Sequence, residues 1–150
     1  MLRWALLLLV LAAPAATAAE LRPLSSRDLC IDGGTEVQPG INRVRLADCN
    51  DEEGQNVRRG KMDTLFIGEL CLQAIGVKGS GRVELAMMRC HGRDGQRWFL
   101  TRGGQLTSGE KLCLTVIGED ASPGVEMKPC LKSDEDGVLA QKWAVYGKLD

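Results

Sequence analysis

Six cysteines in three equivalent pairs constrain the fold of this chain more than any other feature. In each pair the first cysteine stands between two aliphatic residues, and the second follows 17 or 19 positions later. The first cysteines are 41 and 42 positions apart, and a glutamine follows each second cysteine after a short turn. A fixed period of this size indicates tandem structural repeats. We therefore divide the chain into unit 1 (about 21–63), unit 2 (about 64–104) and unit 3 (about 105–147).

The first 19 residues have the composition of a secretory signal peptide. Arg3 precedes an apolar run from Trp4 to Ala13, and small residues precede Glu20. The run is too short to span a bilayer, so we expect cleavage near Ala18 or Ala19 rather than a retained anchor. The predicted mature chain is a single domain of residues 20–150, secreted or periplasmic, with no membrane insertion after cleavage.

Export predicts that the cysteines are oxidised, because oxidising compartments form and keep disulfides. Structural copies place equivalent cysteines at equivalent positions, so each pair should join within its own unit. The predicted disulfides are Cys30–Cys49, Cys71–Cys90 and Cys113–Cys130. Each closes a loop that contributes about 3 kcal/mol in the chain-entropy model. A zinc site fits poorly, because the chain has no Cys-x-x-Cys pair and a single histidine, His91.

Short apolar segments separated by glycine-bounded turns predict four strands in each unit. In unit 2 these are residues 64–67, 70–74, 83–87 and 97–101. Three such units without a sustained helical period predict an all-β domain of about twelve strands. The formal charge of −1 gives no electrostatic reason to expect a nucleic-acid partner.

The repeated cysteines and a closing Gln-x-Trp motif resemble the ricin-type lectin domain, a β-trefoil. The motif reads Gln96-Arg97-Trp98 in unit 2 and Gln141-Lys142-Trp143 in unit 3, while Val57 follows Gln55 in unit 1 where the family has tryptophan. The segment 90–98 is especially similar to the lectin domains of mucin-type glycosyltransferases. The resemblance covers about Leu21 to Tyr146 and implies three intra-unit disulfides in a β-trefoil.

The motif residues Gln55, Gln96, Trp98, Gln141 and Trp143 are interpreted as structural. Two residues that are two positions apart on a strand face the same side. The indole then fills the shared core while the glutamine amide binds nearby backbone groups. We expect these side chains to hold the trefoil together rather than to contact a ligand.

The resemblance implies three sugar-contacting positions in each unit. They are the residue two after the first cysteine, the residue two before the second cysteine, and the residue just before the motif glutamine. These positions hold Asp32, Ala47 and Gly54 in unit 1, Gln73, Met88 and Gly95 in unit 2, and Thr115, Lys128 and Ala140 in unit 3. No unit keeps a carboxylate or amide, an aromatic ring and a second amide together, so the predicted sugar site is degenerate.

Six residues remain candidates for carbohydrate binding: Asp32, Arg45, Asn50, Gln73, Met88 and His91. Asp32 is the first to test, although a carboxylate beside Gly33-Gly34 is equally typical of a solvated turn. A turn position also explains His91 without any ligand. The thioether of Met88 offers a less specific packing surface than a ring.

The sequence does not predict an enzyme, a cofactor or a metal site. It has no Ser-His-Asp or Cys-His arrangement compatible with the disulfides and no phosphate-binding loop. The acidic runs 51–53 and 134–136 lie on turns and lack the ligand spacing of a calcium loop.

Two functions remain. The first is an exported, non-catalytic module that binds a glycan or glycoprotein through a degenerate site. The second is a trefoil without sugar binding that serves as a protein-interaction or accessory subunit of an envelope complex or toxin, with a partner chain. A trefoil protease inhibitor needs an exposed reactive loop, for which residues 76–81 are the only candidate.

Overall fold

The computed structural model describes residues 18–108, 111–118 and 123–149, so most of the predicted signal peptide lies outside the described residues. Twelve strands and three short 3-10 turns confirm the predicted all-β fold. The strands are β1 (Glu20–Pro23), β2 (Leu29–Gln38), β3 (Ile41–Asp48), β4 (Val57–Arg59), β5 (Leu65–Ile67), β6 (Leu70–Gly76), β7 (Val83–Met88), β8 (Phe99–Leu100), β9 (Leu106–Thr107), β10 (Leu112–Ile117), β11 (Gly124–Pro129) and β12 (Trp143–Tyr146). The 3-10 turns are Glu53–Gln55, Lys61–Asp63 and Val138–Gln141.

Strand pairing repeats three times along the chain. Each unit contributes one long antiparallel hairpin: β2–β3, β6–β7 and β10–β11. Short antiparallel pairs, β4–β5, β8–β9 and β12–β1, join one unit to the next, and the last of them brings the first and last strands together. β7 also pairs with β3 and β11. This threefold arrangement is the one expected of a β-trefoil.

All three predicted disulfides are confirmed. Cys30–Cys49, Cys71–Cys90 and Cys113–Cys130 are bonded, and none of the six cysteines is free. Each bond joins the start of one hairpin strand to a residue one or two positions after the end of the other. The first cysteine of each pair is fully buried, so each disulfide fixes its hairpin to the core.

The residue two after each motif glutamine enters the shared core. Trp98, Trp143 and Val57 are each 2% exposed. The two indole N–H groups donate to the carbonyls of Leu72 and Leu114 at 2.9 Å. Val57 keeps the apolar position but has no donor, and a small apolar cavity of about 30 Å³ borders it.

The motif differs from the prediction in its local structure. Gln55 and Gln141 end 3-10 turns rather than lying within strands, and the strand expected at 97–101 is only β8, Phe99–Leu100. The turn places each glutamine at the end of a loop, where its amide can reach several backbone groups. Alternating strand geometry therefore does not explain why Gln and Trp both point inward.

Each motif glutamine is almost fully buried and makes the same set of hydrogen bonds. Its Oε1 accepts the N–H of the residue after the second cysteine at 2.8–3.0 Å: Asn50, His91 and Leu131. Its Nε2 donates at 2.9 Å to the carbonyl of the residue before that cysteine: Asp48, Arg89 and Pro129. Nε2 also contacts the side chain two residues after the first cysteine: Asp32, Gln73 and Thr115. The glutamine thus fixes one of the three family sugar positions in every unit.

Truncating the buried indole should destabilise the fold. We expect Trp143→Ala to lower the free energy of unfolding by about 3–5 kcal/mol, as loss of a core aromatic does. Phe99→Ala is the matched control, because Phe99 is 43% exposed and a surface substitution should change it by about 0.5 kcal/mol or less. Urea denaturation of the oxidised proteins measures both, and equal midpoints would contradict the core assignment.

Removing the glutamine amide should also be costly. Gln96→Leu leaves the N–H groups of His91 and Gly92 and the carbonyl of Arg89 without their partner. These hydrogen bonds are partly buried, and a backbone group left unpaired away from water costs about 1–3 kcal/mol, so we expect a total loss of at least about 2 kcal/mol by urea denaturation. Gln38→Leu makes the same change on an exposed strand end. A stability equal to that control would show that the network is dispensable.

Candidate functional site

Two of the three family sugar positions lie on one face of each long hairpin, and the third lies outside the hairpin, directly before the motif glutamine. In β6–β7, Gln73 pairs with Ala86 and Cys71 with Met88. Directly paired residues share a face of the sheet, so Gln73, Ala86 and Met88 point the same way, while Met87, which is 0% exposed, points to the core. The equivalent faces of β2–β3, β6–β7 and β10–β11 are called site 1, site 2 and site 3.

Site 1 has a carboxylate that is already used inside the protein. Asp32 is 6% exposed; its Oδ1 accepts the Gly34 N–H at 3.0 Å and lies 3.7 Å from Arg45 Nε. Its Oδ2 lies 3.4 Å from Gln55 Nε2. A Cβ at Gly54 would lie 3.0 Å from the Gly34 Cα, so the two glycine backbones close over this region. Little of the Asp32 carboxylate is therefore left for a sugar.

Asn50, the third candidate in unit 1, is exposed and shapes the adjoining turn. Its Oδ1 accepts the Glu52 N–H at 3.0 Å. Its own N–H donates to Gln55 Oε1. Asn50 and Asp32 are thus connected through Gln55 rather than in direct contact.

Site 2 has an oriented amide with free donors. Gln73 Oε1 accepts Gln96 Nε2 at 3.0 Å and lies 3.2 Å from His91 Nε2. His91 Nδ1 accepts the Arg93 N–H at 3.1 Å, which puts the ring proton of the neutral imidazole on Nε2, facing Gln73. Both contacts use the Gln73 oxygen. The Gln73 NH₂ group has no hydrogen-bond partner among the described residues. In the described chain the only buried side-chain polar atom without a partner is Glu20 Oε1, so the Gln73 NH₂ group is accessible to solvent.

The amide that the family carries before the motif glutamine is excluded from site 2. Gly95 has φ +88°, and a Cβ there would lie 2.7 Å from the Ala74 carbonyl oxygen. The Gly95 carbonyl also accepts the Ala74 N–H at 2.8 Å. The loop backbone therefore packs on β6 where the family presents a side chain.

Site 3 lacks a free acceptor at the equivalent position. Thr115 is buried; its hydroxyl donates to the Cys113 carbonyl and accepts Gln141 Nε2 at 3.1 Å. Lys128 pairs with Glu126 at 3.1 Å. A depression of about 470 Å³ borders Lys128 and Ala140, and the described residues that line it include no carboxylate, side-chain amide or aromatic ring.

The structure thus separates the six candidates into two groups. Asp32 and Asn50 contact Gln55 and Arg45 lies beside Asp32, whereas Gln73, Met88 and His91 belong to site 2. Sequence reasoning missed a cleft of about 550 Å³ beside His91. It is lined by residues of the β4–β5 region and of the loop after Cys90. Its polar lining includes Arg58, Arg59, Lys61 and His91, and its apolar lining includes Met62 and Phe66. The run Arg58-Arg59-Gly60-Lys61 is its only signal in the sequence.

One group of potential metal ligands occurs in the described part of the chain. The Glu20 carboxylate lies within 4.8 Å of the Cys30 and Cys49 sulfurs. Those sulfurs are joined to each other, and the carboxylate pairs with Arg22, so this group is not a metal centre. Over the same described ranges, no helix has the length and apolarity needed to cross a bilayer.

Solved structures with the same fold include three glycan-related proteins. The β-trefoil lectin of the Vibrio vulnificus hemolysin/cytolysin, solved with N-acetyl-D-lactosamine bound, is 19% identical with a TM-score of 0.66, and the match covers 91% of this chain and 98% of that one. A mutant earthworm lectin C-terminal domain in complex with 6′-sialyllactose is 13% identical with a TM-score of 0.63, over 88% and 99% of the two chains. GalNAc-T7, solved with UDP, GalNAc and Mn²⁺, is 20% identical with a TM-score of 0.65, over 89% of this chain and 23% of that chain.

At these identities the structural likenesses establish the fold alone. No curated protein sequence is similar enough to this chain to count as a match. The family comparison is more specific, because residues 17–146 match the model of the ricin-type β-trefoil lectin domain. The match includes all three cysteine pairs and all three motif glutamines. The chain therefore belongs to the ricin-type β-trefoil lectin domain family.

Proposed function

We propose that this protein is an exported, non-catalytic carbohydrate-binding module and that site 2 makes the principal sugar contacts. The observation that carries the proposal is the Gln73 side chain, whose oxygen is held by Gln96 and His91 while its NH₂ faces solvent. A sugar hydroxyl can accept from that NH₂, and the half-buried thioether of Met88 offers packing surface on the same face. An oriented donor loses little conformational entropy when it binds.

The proposed site is degenerate, which predicts weak binding. It has no aromatic ring against the sugar, and backbone occupies the place of the family amide at Gly95. Site 1 is proposed as a secondary contact, because Asp32 is engaged internally while Arg45 and Asn50 remain exposed. The relatives solved with N-acetyl-D-lactosamine and 6′-sialyllactose support a glycan as the ligand class.

A second function, as a protein-interaction subunit, is favoured by β8. Its two residues, Phe99 and Leu100, are 43% and 47% exposed. The strand is also the last in its sheet along the described pairing order. An exposed apolar strand at a sheet end is a surface that a partner chain can cover.

Export is supported by the three disulfides, because such bonds persist in oxidising compartments. The described fold begins at Ala19, which is 2% exposed and whose carbonyl accepts the Val57 N–H at 2.7 Å. Cleavage between Ala18 and Ala19 would keep this contact.

The processed protein should therefore begin at Ala19, one residue before the start at Glu20 that the sequence alone predicts. N-terminal peptide mass spectrometry of the protein recovered from the periplasm or medium measures this directly. A retained leader, or an N-terminus beyond Glu20, would contradict the proposed processing.

Sugar binding through site 2 can be tested with a broad glycan array. Gln73→Glu keeps the oxygen that Gln96 and His91 contact but replaces the free donor with an acceptor. We expect about tenfold weaker binding, as loss of one hydrogen bond worth about 1–1.5 kcal/mol implies. Gln38→Glu makes the same chemical change on an exposed strand end and should bind like the unmodified protein.

Site 1 is tested on the same array with Arg45→Ala, which should leave selectivity unchanged. Binding lost in Arg45→Ala and kept in Gln73→Glu would move the principal site to unit 1. An array without any signal from folded, oxidised protein would overturn the sugar-binding proposal and favour the interaction subunit.

A further inference from the structure

The cleft beside His91 concentrates basic charge in a chain that is otherwise acidic. Its described lining includes three basic residues, Arg58, Arg59 and Lys61, and no carboxylate. The two segments that supply the lining, residues 57–66 and 89–97, contain six Lys and Arg residues against two Asp, a net charge of +4. The whole chain has a net charge of −1, so the remaining residues carry −5. Such an asymmetry attracts anions to one region of a surface even when the total charge is near zero.

Two arginines of the cleft are held in place before any ligand arrives. Arg58 donates to the Gly68 carbonyl at 2.8 Å, and its guanidinium lies 5.1 Å from the centre of the Phe66 ring. Arg59 pairs with Asp63 at 2.8 Å. Each of these guanidinium groups has five N–H donors and uses only part of them here, so donors remain for an anion.

Lys61 differs from the two arginines because nothing in the described chain pairs with its ammonium group. It is exposed at the start of the Lys61–Asp63 turn and lines the cleft. An unpaired ammonium keeps its three donors and its full charge for an incoming anion. Lys61 is therefore the residue whose charge can be changed without breaking an internal contact.

The turn that carries Lys61 is built against the loop that carries His91. Met62 and Asp63 have φ values of 56° and 58°, a left-handed conformation that is unfavourable for residues other than glycine. This conformation leaves the Met62 side chain against Gly92, where an added Cβ would lie 2.2 Å from Met62 Cε. Strained backbone that is held in place by its surroundings is found more often at binding sites than elsewhere.

We propose that this cleft binds the acidic substituent, sulfate or carboxylate, of a glycan whose neutral sugar occupies site 2. The inference rests on the proposed function, because His91 belongs to both places: its Nε2 faces Gln73, and its residue lines the cleft. Sulfate and sugar carboxylate share the chemistry that the cleft offers, since both accept several charge-assisted hydrogen bonds from guanidinium and ammonium groups. The ligand class is thus an acidic glycan rather than a neutral one.

The test compares lactose with lactose 3′-sulfate and 6′-sialyllactose, three probes that share one neutral core and separate sulfate from carboxylate. Binding of the full oxidised chain is measured by biolayer interferometry at about 50 and about 500 mM NaCl, because salt screens exposed charges. We expect at least one acidic probe to bind about tenfold more tightly than lactose at low salt, and the difference to shrink at high salt.

Two variants of Lys61 test whether the cleft causes the preference for the acidic probes. Lys61→Glu should abolish the preference for the acidic probe, and Lys61→Ala should reduce it. Lys78→Glu is the matched control, because it reverses the same charge at an exposed position in the β6–β7 loop, outside the cleft lining. A surface coated with a sulfonate but no sugar measures general attraction to negative charge.

The outcomes separate this inference from the proposed function. Equal binding of all three probes that is weakened by Gln73→Glu and unaffected by Lys61→Glu overturns the acidic-glycan inference and leaves site 2 intact. An acidic preference lost in Lys61→Glu, together with binding of lactose and of the acidic probes that Gln73→Glu leaves as tight as in the unmodified protein, supports an anion site in the cleft but overturns site 2 as the place of the neutral sugar. Equal loss in Lys61→Glu and Lys78→Glu, or equal binding to the sulfonate surface, overturns the cleft as a specific site. Failure to bind any of the three probes also overturns the inference, and the broad array decides the proposed function separately.

Discussion

The hydrogen bonds of the three motif glutamines are the interaction on which the rest of this structure depends. One buried amide in each unit joins the loop after the second cysteine, the carbonyl before that cysteine and the side chain two residues after the first cysteine. The disulfide closes the same region covalently. An amide can satisfy all of these groups because it both donates and accepts. The hairpin face that forms each candidate site is consequently fixed by the core.

The three units differ because the same framework supports different side chains. At site 1 the amide contacts a carboxylate that glycine backbones cover, and at site 3 it contacts the buried hydroxyl of Thr115. At site 2 it contacts another amide, Gln73, which has a second polar group to offer outward. The residue type at this one position therefore decides whether the side chain that the glutamine contacts keeps a hydrogen-bonding group for solvent.

Much of the fold could be predicted from the sequence because its signals are local and repeated. The spacing of the cysteines gives the length of the repeat. Because the three units are structural copies, each cysteine is expected to bond with the other cysteine of its own unit. The burial of Asp32 could not be predicted, because it depends on the close approach of Gly34 and Gly54, which are 20 residues apart. The basic cleft was missed for the same reason: Lys61 and His91 come from different turns, and no motif connects them.

The pairing of β1 with β12 has a consequence for the order of folding. Its partners Glu20 and Tyr146 are separated by almost the whole described chain, whereas each disulfide spans only 17 or 19 residues. Contacts between distant residues cost more loop-closure entropy and form more slowly than local ones. A chain that emerges N-terminus first can therefore complete its hairpin disulfides one by one, while the pairing of β1 with β12 has to wait until the last strand has been made. Pairing of β1 with β12 therefore requires the whole domain, whereas each disulfide requires only its own unit.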